Sequence, residues 1–327
     1  MGRSGRLDRN TIFGFCAILL WSVTVALARS ISEQIGPLTA GAAVYLTAAG
    51  FLGAHLAWKE RSLRALCMLP RRYVVGCGAL FVLYTVALFL ALGLAADRRQ
   101  TIEVGLLNYL WPALTILFAL VLLGQRADVG LIPGTLLALC GVFLVLTQDT
   151  GITWHSFSVN IRRNPAAYAL GAFAAIAWAL YSNLTRRWGG PDSRGAVLLF
   201  SLATGLMCGL LRLLHPEGGT WNIRVVAEVA VLALATGLAY LFWDLAMRAG
   251  DVVLVAACSY LTPFFSTVVS CLYLRVQPSL NLWLGCVLII AGSFLSWRSI
   301  RPATEESPPR RPGEDGAPCV KGESYGS

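Results

Sequence analysis

Leu106-Leu107-Asn108-Tyr109-Leu110-Trp111-Pro112 returns 151 positions later as Ala257-Cys258-Ser259-Tyr260-Leu261-Thr262-Pro263. The match runs on without a gap. Leu106–Leu146 aligns with Ala257–Trp297, and ten of the 41 pairs are identical: Tyr109/Tyr260, Leu110/Leu261, Pro112/Pro263, Leu123/Leu274, Leu131/Leu282, Gly134/Gly285, Leu137/Leu288, Gly141/Gly292, Phe143/Phe294 and Leu144/Leu295. Each copy carries its proline in the middle of an apolar run. A proline cannot donate to the carbonyl four residues earlier, so it breaks a helix there. In hydrocarbon the freed backbone group must find protein, water or ligand. A duplicated apolar segment broken at the same place in both copies is the pattern of a transporter with its site near the bilayer midplane.

Composition agrees. The chain has 327 residues, 57% hydrophobic and 13% charged, with mean hydropathy +0.66, whereas soluble domains carry about 25% charge. Apolar runs of about 20 residues mark membrane helices. Ten occur: about Asn10–Ala28, Leu38–Trp58, Tyr73–Ala96, Glu103–Gly124, Val129–Thr147, Ala166–Thr185, Gly195–Leu211, Ala227–Met247, Val252–Leu274 and Leu280–Trp297. They do not alternate as barrel strands would. The net charge of +9 does not point to nucleic acid, because the basic residues sit between the runs. With the N-terminus in the cytoplasm, 18 of the 26 Lys and Arg residues fall in inner segments and 8 in outer ones. That bias predicts ten helices with both termini inside. The nine cysteines are scattered, with no C-x-x-C and no Cys/His cluster. Neither disulfides nor a metal is expected, and no cofactor.

The fold class is an all-α polytopic membrane protein of ten transmembrane helices, arranged as two inverted five-helix repeats. Five is odd, so the second copy enters the membrane from the opposite side. The expected divisions are a cytoplasmic N-terminus at 1–9, a first repeat at 10–147, an external linker at 148–165, a second repeat at 166–297 and a disordered cytoplasmic tail at 298–327. The first run has the look of a signal peptide, ending in Ala26-Leu27-Ala28. Trp21 and Arg29 nevertheless have counterparts in Trp178 and Arg186, which makes the run part of the repeat.

The breaks single out the candidate site. Pro112 and Pro263 are the hinge positions, and the carbonyls they free belong to Asn108 and Ser259, open to a ligand ammonium or to a simple kink. Tyr84, Tyr109, Trp111 and Trp178 lie deep in their helices, and Tyr45, Tyr181, Tyr240 and Tyr260 are further candidates. A buried Tyr hydroxyl or Trp N–H needs a partner, so these rings either line a cavity or pack helices. Asp244 precedes Arg248 by one turn. An i,i+4 ion pair is the simplest account, and a coupling role is the alternative, since intramembrane carboxylates are often functional. Glu103 opens the fourth run near the outer face. Gly134, Gly141, Gly285 and Gly292 suit close helix approach. No nucleotide loop, nucleophile–base arrangement or metal-ligand pattern is visible.

These features resemble the drug/metabolite transporter superfamily, in particular its ten-helix exporters with paired EamA domains, over almost all of Asn10–Trp297. Each repeat there ends in a proline-bearing helix followed by a glycine-bearing one, as with Pro112, Gly134 and Gly141 here and with Pro263, Gly285 and Gly292. Many members carry an acid after the glycine ending the fourth helix, where this chain has Gly124-Gln125-Arg126. The run Ile102–Pro112, the Ser259-Tyr260-Leu261-Thr262-Pro263 run and Ile176-Ala177-Trp178-Ala179 are similar to the aromatic amino acid exporters of the superfamily, which share the Gly-Gln departure. Asp244 stands where that subgroup has a neutral amide. The resemblance implies a non-enzymatic inner-membrane exporter of Phe, Tyr and Trp, and of other amino acids, working by alternating access. The zwitterion would meet the groups around Asn108 and Ser259, and its ring Tyr84, Trp111 and Trp178. Tyr109, Tyr181 and Tyr260 would shape or gate the cavity. The partners implied are the amino acid and the bilayer, with no nucleic acid; the oligomeric state, a monomer included, stays open, as does facilitation versus proton exchange. The rivals are export of another metabolite or a toxic organic cation, a lipid-modifying membrane enzyme and a membrane sensor.

Overall fold

The computed structural model describes residues 8–60, 66, 68–147, 152–190, 195–274 and 280–301. Residues 302–327 of the expected tail lie outside these. The described chain is almost entirely helical: α1 Arg9–Ile35, α2 Pro37–Glu60, a π-helical turn Tyr73–Cys77 leading into α3 Gly78–Leu94, α4 Arg98–Asn108, α5 Trp111–Leu122, α6 Leu131–Thr147, α7 Trp154–Arg163, α8 Pro165–Trp188, α9 Ala196–Leu214, α10 Ile223–Ala249, α11 Val252–Cys258, a 3-10 turn Ser259–Leu261, α12 Thr262–Leu274 and α13 Leu280–Arg298.

The boundaries follow from capping. Short polar side chains accept from the first N–H groups that a helix leaves unpaired. Asp8, Asp97, Thr153, Asn164, Asn222 and Asp251 do so for α1, α4, α7, α8, α10 and α11. Asp97, not Glu103, therefore starts the fourth span, and Glu103 sits a turn inside α4. The segment between the repeats, polar in sequence, holds α7, whose Phe157 and Ile161 pack against the first turns of α8.

Eight described helical stretches are long and apolar enough to cross a membrane, and α6, at 17 residues, is a shorter apolar helix. The polarity is that of a lipid-solvated protein. Large apolar side chains such as Val121, Ile132, Leu206, Leu213 and Val287 face outward, and so much exposed apolar surface is foreign to a soluble monomer. This is an all-α, multi-pass membrane protein.

Packing pairs helices from opposite halves of the chain: α1 with α10 and α12, α3 and α5 with α8, α2 with α9, and α6 with α13. The α6–α13 crossing is made by glycine. A Cβ on Gly141 would stand 2.6 Å from the Gly285 carbonyl oxygen, and one on Gly292 would stand 2.6 Å from that of Gly134. Backbones meet directly there, as small residues permit.

Two polar ends close the bundle. At one, Asp251 N–H donates to Thr11 Oγ1 at 2.8 Å, Arg248 Nη1 to Gly190 O at 3.1 Å, and a two-residue ribbon pairs β1 (Arg126–Ala127) with β2 (Ile300–Arg301). At the other, the Glu217 carboxylate accepts from Leu38 N at 2.9 Å and Thr39 N at 2.8 Å, capping α2 from the α9–α10 loop, and Asn164 Nδ2 donates to Leu94 O at 2.7 Å.

Candidate functional site

Both prolines start a helix rather than bend one. α4 ends at Asn108, Tyr109 N donates back to Gly105 O at 2.9 Å, and α5 restarts at Trp111 with Pro112 in its first turn. Proline is well placed there, because its missing N–H would be unpaired anyway. In the second half the chain passes through the 3-10 turn and restarts at Thr262 with Pro263 next. The Ser259 carbonyl accepts Thr262 N–H and, at 2.8 Å, Thr262 Oγ1. The group freed by Pro263 is thus satisfied by its own chain and does not wait for a ligand.

One large cavity, about 860 Å³, lies between the two halves. Its deep end is walled by Trp21, Tyr84, Trp111, Trp178, Tyr240 and Thr262, with Tyr45, Asn108 and Tyr109 beside them. It extends past Leu88 and Phe89 to Ser32, Glu33, Pro37, Leu92 and Thr101, at the end of the bundle capped by Glu217.

The floor is an aromatic cluster. Trp21 meets Trp178 at 5.6 Å between ring centroids and 73°, and Trp111 at 6.4 Å and 83°. Tyr84 lies 4.7 Å from Trp178. Such tilted and edge-on arrangements are the favourable ones for aromatic pairs. Behind them stands Trp243, wholly buried, 5.1 Å from Trp21 and 5.3 Å from Trp111, its indole N–H donating to Ser182 Oγ at 3.2 Å. Tyr45 and Tyr240 share a 2.9 Å hydroxyl–hydroxyl bond. Among the described residues none donates to Asn108 Oδ1, which is buried at the helix break. It is an acceptor without a partner, covered in this conformation, on a residue that lines the cavity.

The cavity brings together seven of the residues singled out from sequence: Tyr84, Asn108, Tyr109, Trp111 and Trp178, with Tyr45 and Tyr240 from the further candidates. It does not bring Tyr181, Ser259 or Tyr260 to its wall. Tyr181 is wholly buried beneath Trp178, against Phe81 and Phe200. Ser259 Oγ donates to Ala256 O at 2.5 Å. Tyr260 is packed with Val142, Leu282 and Ile289 of α6 and α13. Sequence reasoning omitted Trp21, Thr85, Thr236 and Thr262 from the site. The repeat alignment held the signal for two of them, since Trp21 is the counterpart of Trp178 and Thr262 that of Trp111.

Asp244 stands behind the floor, next to Trp243, and not on the cavity. Its carboxylate receives Arg248 Nε at 2.8 Å and the Tyr73 hydroxyl, and the two charged side chains are 1% and 5% exposed. Glu103 is likewise off the cavity. It is wholly buried, accepting from Tyr168 Oη and from Asn160 Nδ2 at 3.2 and 3.1 Å to its two oxygens. Among the described residues no group of His, Cys, Asp and Glu forms a metal site.

Residues 10–147 and 165–298 each match the EamA-like transporter family. The chain is 36% identical over 297 residues to the aromatic amino acid exporter YddG of Salmonella typhimurium, covering 90% of this chain and 98% of that protein. The exporter of the same name from Escherichia coli K12 is 35% identical over 297 residues, with the same coverage. That of Ancylobacter novellus is 34% identical over 293 residues, covering 88% and 96%. A solved crystal structure superposes with TM-score 0.75 at 30% identity, over 89% of this chain and 98% of its own.

Proposed function

The chain belongs to the EamA-like transporter family, and on that premise we propose that it exports aromatic amino acids across the bacterial inner membrane by alternating access. The observation that carries this reading is the cavity floor. Rings from both halves of the chain converge on one pocket, and Asn108, whose buried amide oxygen has no partner, lines it beside them. An amino acid presents an ammonium, which needs an acceptor, and a ring, which gains from edge-on and stacked contacts. The curated relatives named aromatic amino acid exporters support the substrate class.

The proposed architecture has ten spans. To the eight long apolar helices it adds α1, of 27 residues, and the shorter α6. The helix packing supports an inverted repeat. Exchange of α1 with α8, α2 with α9, α3 with α10, α5 with α12 and α6 with α13 turns the α1–α10 contact into α8–α3 and α1–α12 into α8–α5. It leaves α2–α9 and α6–α13 unchanged, and every resulting pair occurs. The charge bias puts both termini in the cytoplasm. The cavity then faces outward, and its aromatic floor with the Tyr73–Asp244–Arg248 network behind it closes the inner side. In this reading Trp111, Trp178 and Tyr84 hold the ring, Asn108 the ammonium, and Tyr109 lines the path. Pro112 and Pro263 let each half-helix move as a separate rod.

The test is uptake of radiolabelled phenylalanine by liposomes containing the purified protein, with empty liposomes as control. Saturable uptake blocked by tryptophan is expected. Trp178→Ala removes one ring contact, worth about 0.5–1.5 kcal/mol, and should weaken affinity about twofold to tenfold. A folded, inserted protein without uptake above control refutes the substrate assignment. Unchanged affinity and transport in Trp178→Ala refute the role of that ring.

A further inference from the structure

Six side chains frame the deep end of the cavity, three from each half: Trp21, Tyr84 and Trp111 from the first, and Trp178, Tyr240 and Thr262 from the second. They form three equivalent pairs. Trp21 and Trp178 each stand eight residues before an arginine, Arg29 and Arg186. Tyr84 of α3 meets Trp178 at 4.7 Å and Tyr240 of α10 meets Trp21 at 5.7 Å, so exchanging the halves exchanges these contacts. Trp111 and Thr262 are the residues immediately before the two prolines.

Two of the pairs are alike, Trp with Trp and Tyr with Tyr. The third is Trp with Thr. The frame is therefore aromatic at five positions and lacks a ring at the sixth. On its own side Trp111 is buried, 6.3 Å from Trp178 and 5.3 Å from Trp243. On the other side Thr262 presents a side chain far smaller than an indole, and its hydroxyl is committed to the Ser259 carbonyl at 2.8 Å. Its main-chain oxygen is engaged as well, accepting from Ser22 Oγ at 3.3 Å. What Thr262 offers the cavity is room.

We propose that the space over Thr262 is the seat of the ligand's aromatic ring, which completes the sixth position of the frame, and that Thr262 sets the largest ring admitted. The inference rests on the aromatic-substrate reading above and adds to it a location and a size filter. The five rings of the frame stand 4.7–6.4 Å apart where they meet, inside the range of about 4.5–7 Å that aromatic pairs favour, and a ring over Thr262 joins that set. A ring grown on residue 262 itself would occupy the same space permanently.

The experiment measures equilibrium binding of phenylalanine, tyrosine and tryptophan to the purified full-length chain, with the wild type in parallel. Thr262→Val, which keeps the volume and loses a hydroxyl that serves the backbone, should weaken binding far less than Thr262→Phe. Thr262→Phe should lose at least about tenfold for all three ligands, the upper end of one ring contact plus the occupied volume. Thr262→Leu, a smaller intrusion that keeps the test open if the Phe variant misfolds, should weaken tryptophan more than phenylalanine. The double variant Trp111→Thr with Thr262→Trp moves the opening to the other half and should bind more tightly than Thr262→Trp alone. Binding by a folded Thr262→Phe within threefold of wild type overturns the proposal, as does a Val variant as weak as the Phe variant, or a Leu variant that treats all three ligands alike. A wild type that binds none of the three ligands refutes instead the aromatic-substrate reading, before any variant is compared.

Discussion

Asp244→Ala should destabilise the protein by about 3–5 kcal/mol, the cost of leaving one partner of a buried ion pair alone. The geometry puts it in that class and not among surface pairs. The carboxylate is 1% exposed, its partner Arg248 is 5% exposed, and Nε lies 2.8 Å from Oδ2. The change also strands the hydroxyl of Tyr73, a wholly buried residue that donates to the other carboxylate oxygen, and an unsatisfied buried donor alone costs about 1–3 kcal/mol. Arg248 keeps its 3.1 Å bond to Gly190 O, which argues for the lower half of the range. Tyr73→Phe leaves the ion pair whole and removes one hydrogen bond to a charged group, about 1.5–3 kcal/mol. Replacing both charges with apolar residues, Asp244→Leu with Arg248→Met, should recover the part of the loss that comes from the stranded charge, because the pair paid a desolvation cost to form, while the Tyr73 hydroxyl stays without its acceptor. Unfolding in detergent reads the series, and the reactivity of Cys77, a wholly buried thiol at the end of the π-helical turn that Tyr73 begins, reports opening at this place. A single Asp244→Ala variant within about 0.5 kcal/mol of wild type, the range of an ordinary surface change, refutes the reasoning. So does a double variant less stable than the single. A further variant separates a structural lock from proton coupling: the lock predicts that Asp244→Asn leaves the pH profile of transport unchanged.

Gly292→Ala places a methyl against the backbone of α6, 2.6 Å from Gly134 O, and should cost about 1–3 kcal/mol through overpacking; a thermal midpoint equal to wild type would show that the crossing has slack. Glu103→Ala removes the common acceptor of Tyr168 Oη and Asn160 Nδ2 and should cost about 1–3 kcal/mol, with Glu103→Gln costing less. Equal losses for the two, read by the same unfolding assay, would mean that charge and not hydrogen bonding matters there.

Much of the scaffold was legible because membrane helices announce themselves by run length, and because the chain repeats itself. The runs beginning at Leu38, Tyr73 and Leu280 correspond closely to α2, the π-helical turn with α3, and α13. What escaped were details set by local hydrogen bonding. Asp97 caps α4 six residues before the fourth apolar run begins at Glu103, because a helix can extend past its apolar stretch when a cap holds its end. The π-helical turn has no sequence signature in period or composition. Among site residues, depth in a run pointed to Tyr84, Tyr109, Trp111 and Trp178, and the proline rule to Asn108, but neither gives rotation about the helix axis. Tyr181 and Trp178 share α8 and the same depth, yet only Trp178 turns to the cavity. Ser259 was misread for another reason: its carbonyl has a local donor in Thr262, which a proline rule applied to one residue at a time does not see.

The pairs that the repeat keeps identical and those it changes do different physical work. The equivalent pairs Gly134/Gly285 and Gly141/Gly292 make the α6–α13 crossing, where Gly134 meets Gly292 and Gly141 meets Gly285; any side chain would separate the backbones there, so both copies need glycine. Both broken helices need proline at the restart. Among the changed pairs at the two breaks are Asn108 with Ser259 and Trp111 with Thr262, and of these Asn108, Trp111 and Thr262 reach the cavity. A scaffold that opens alternately to two sides works best when its halves are alike, because the two end states then differ little in energy. An amino acid has no such symmetry: its ammonium and its ring require different neighbours. Binding it therefore demands that the halves differ where they touch it. Tyr109 and Tyr260 show the other half of the argument. They are identical in sequence, yet Tyr109 lines the cavity and Tyr260 lies buried against α6 and α13. The identity of the two residues does not set that difference. On the alternating-access reading it should invert when the cavity opens to the opposite side, with Tyr260 gaining access as Tyr109 is covered.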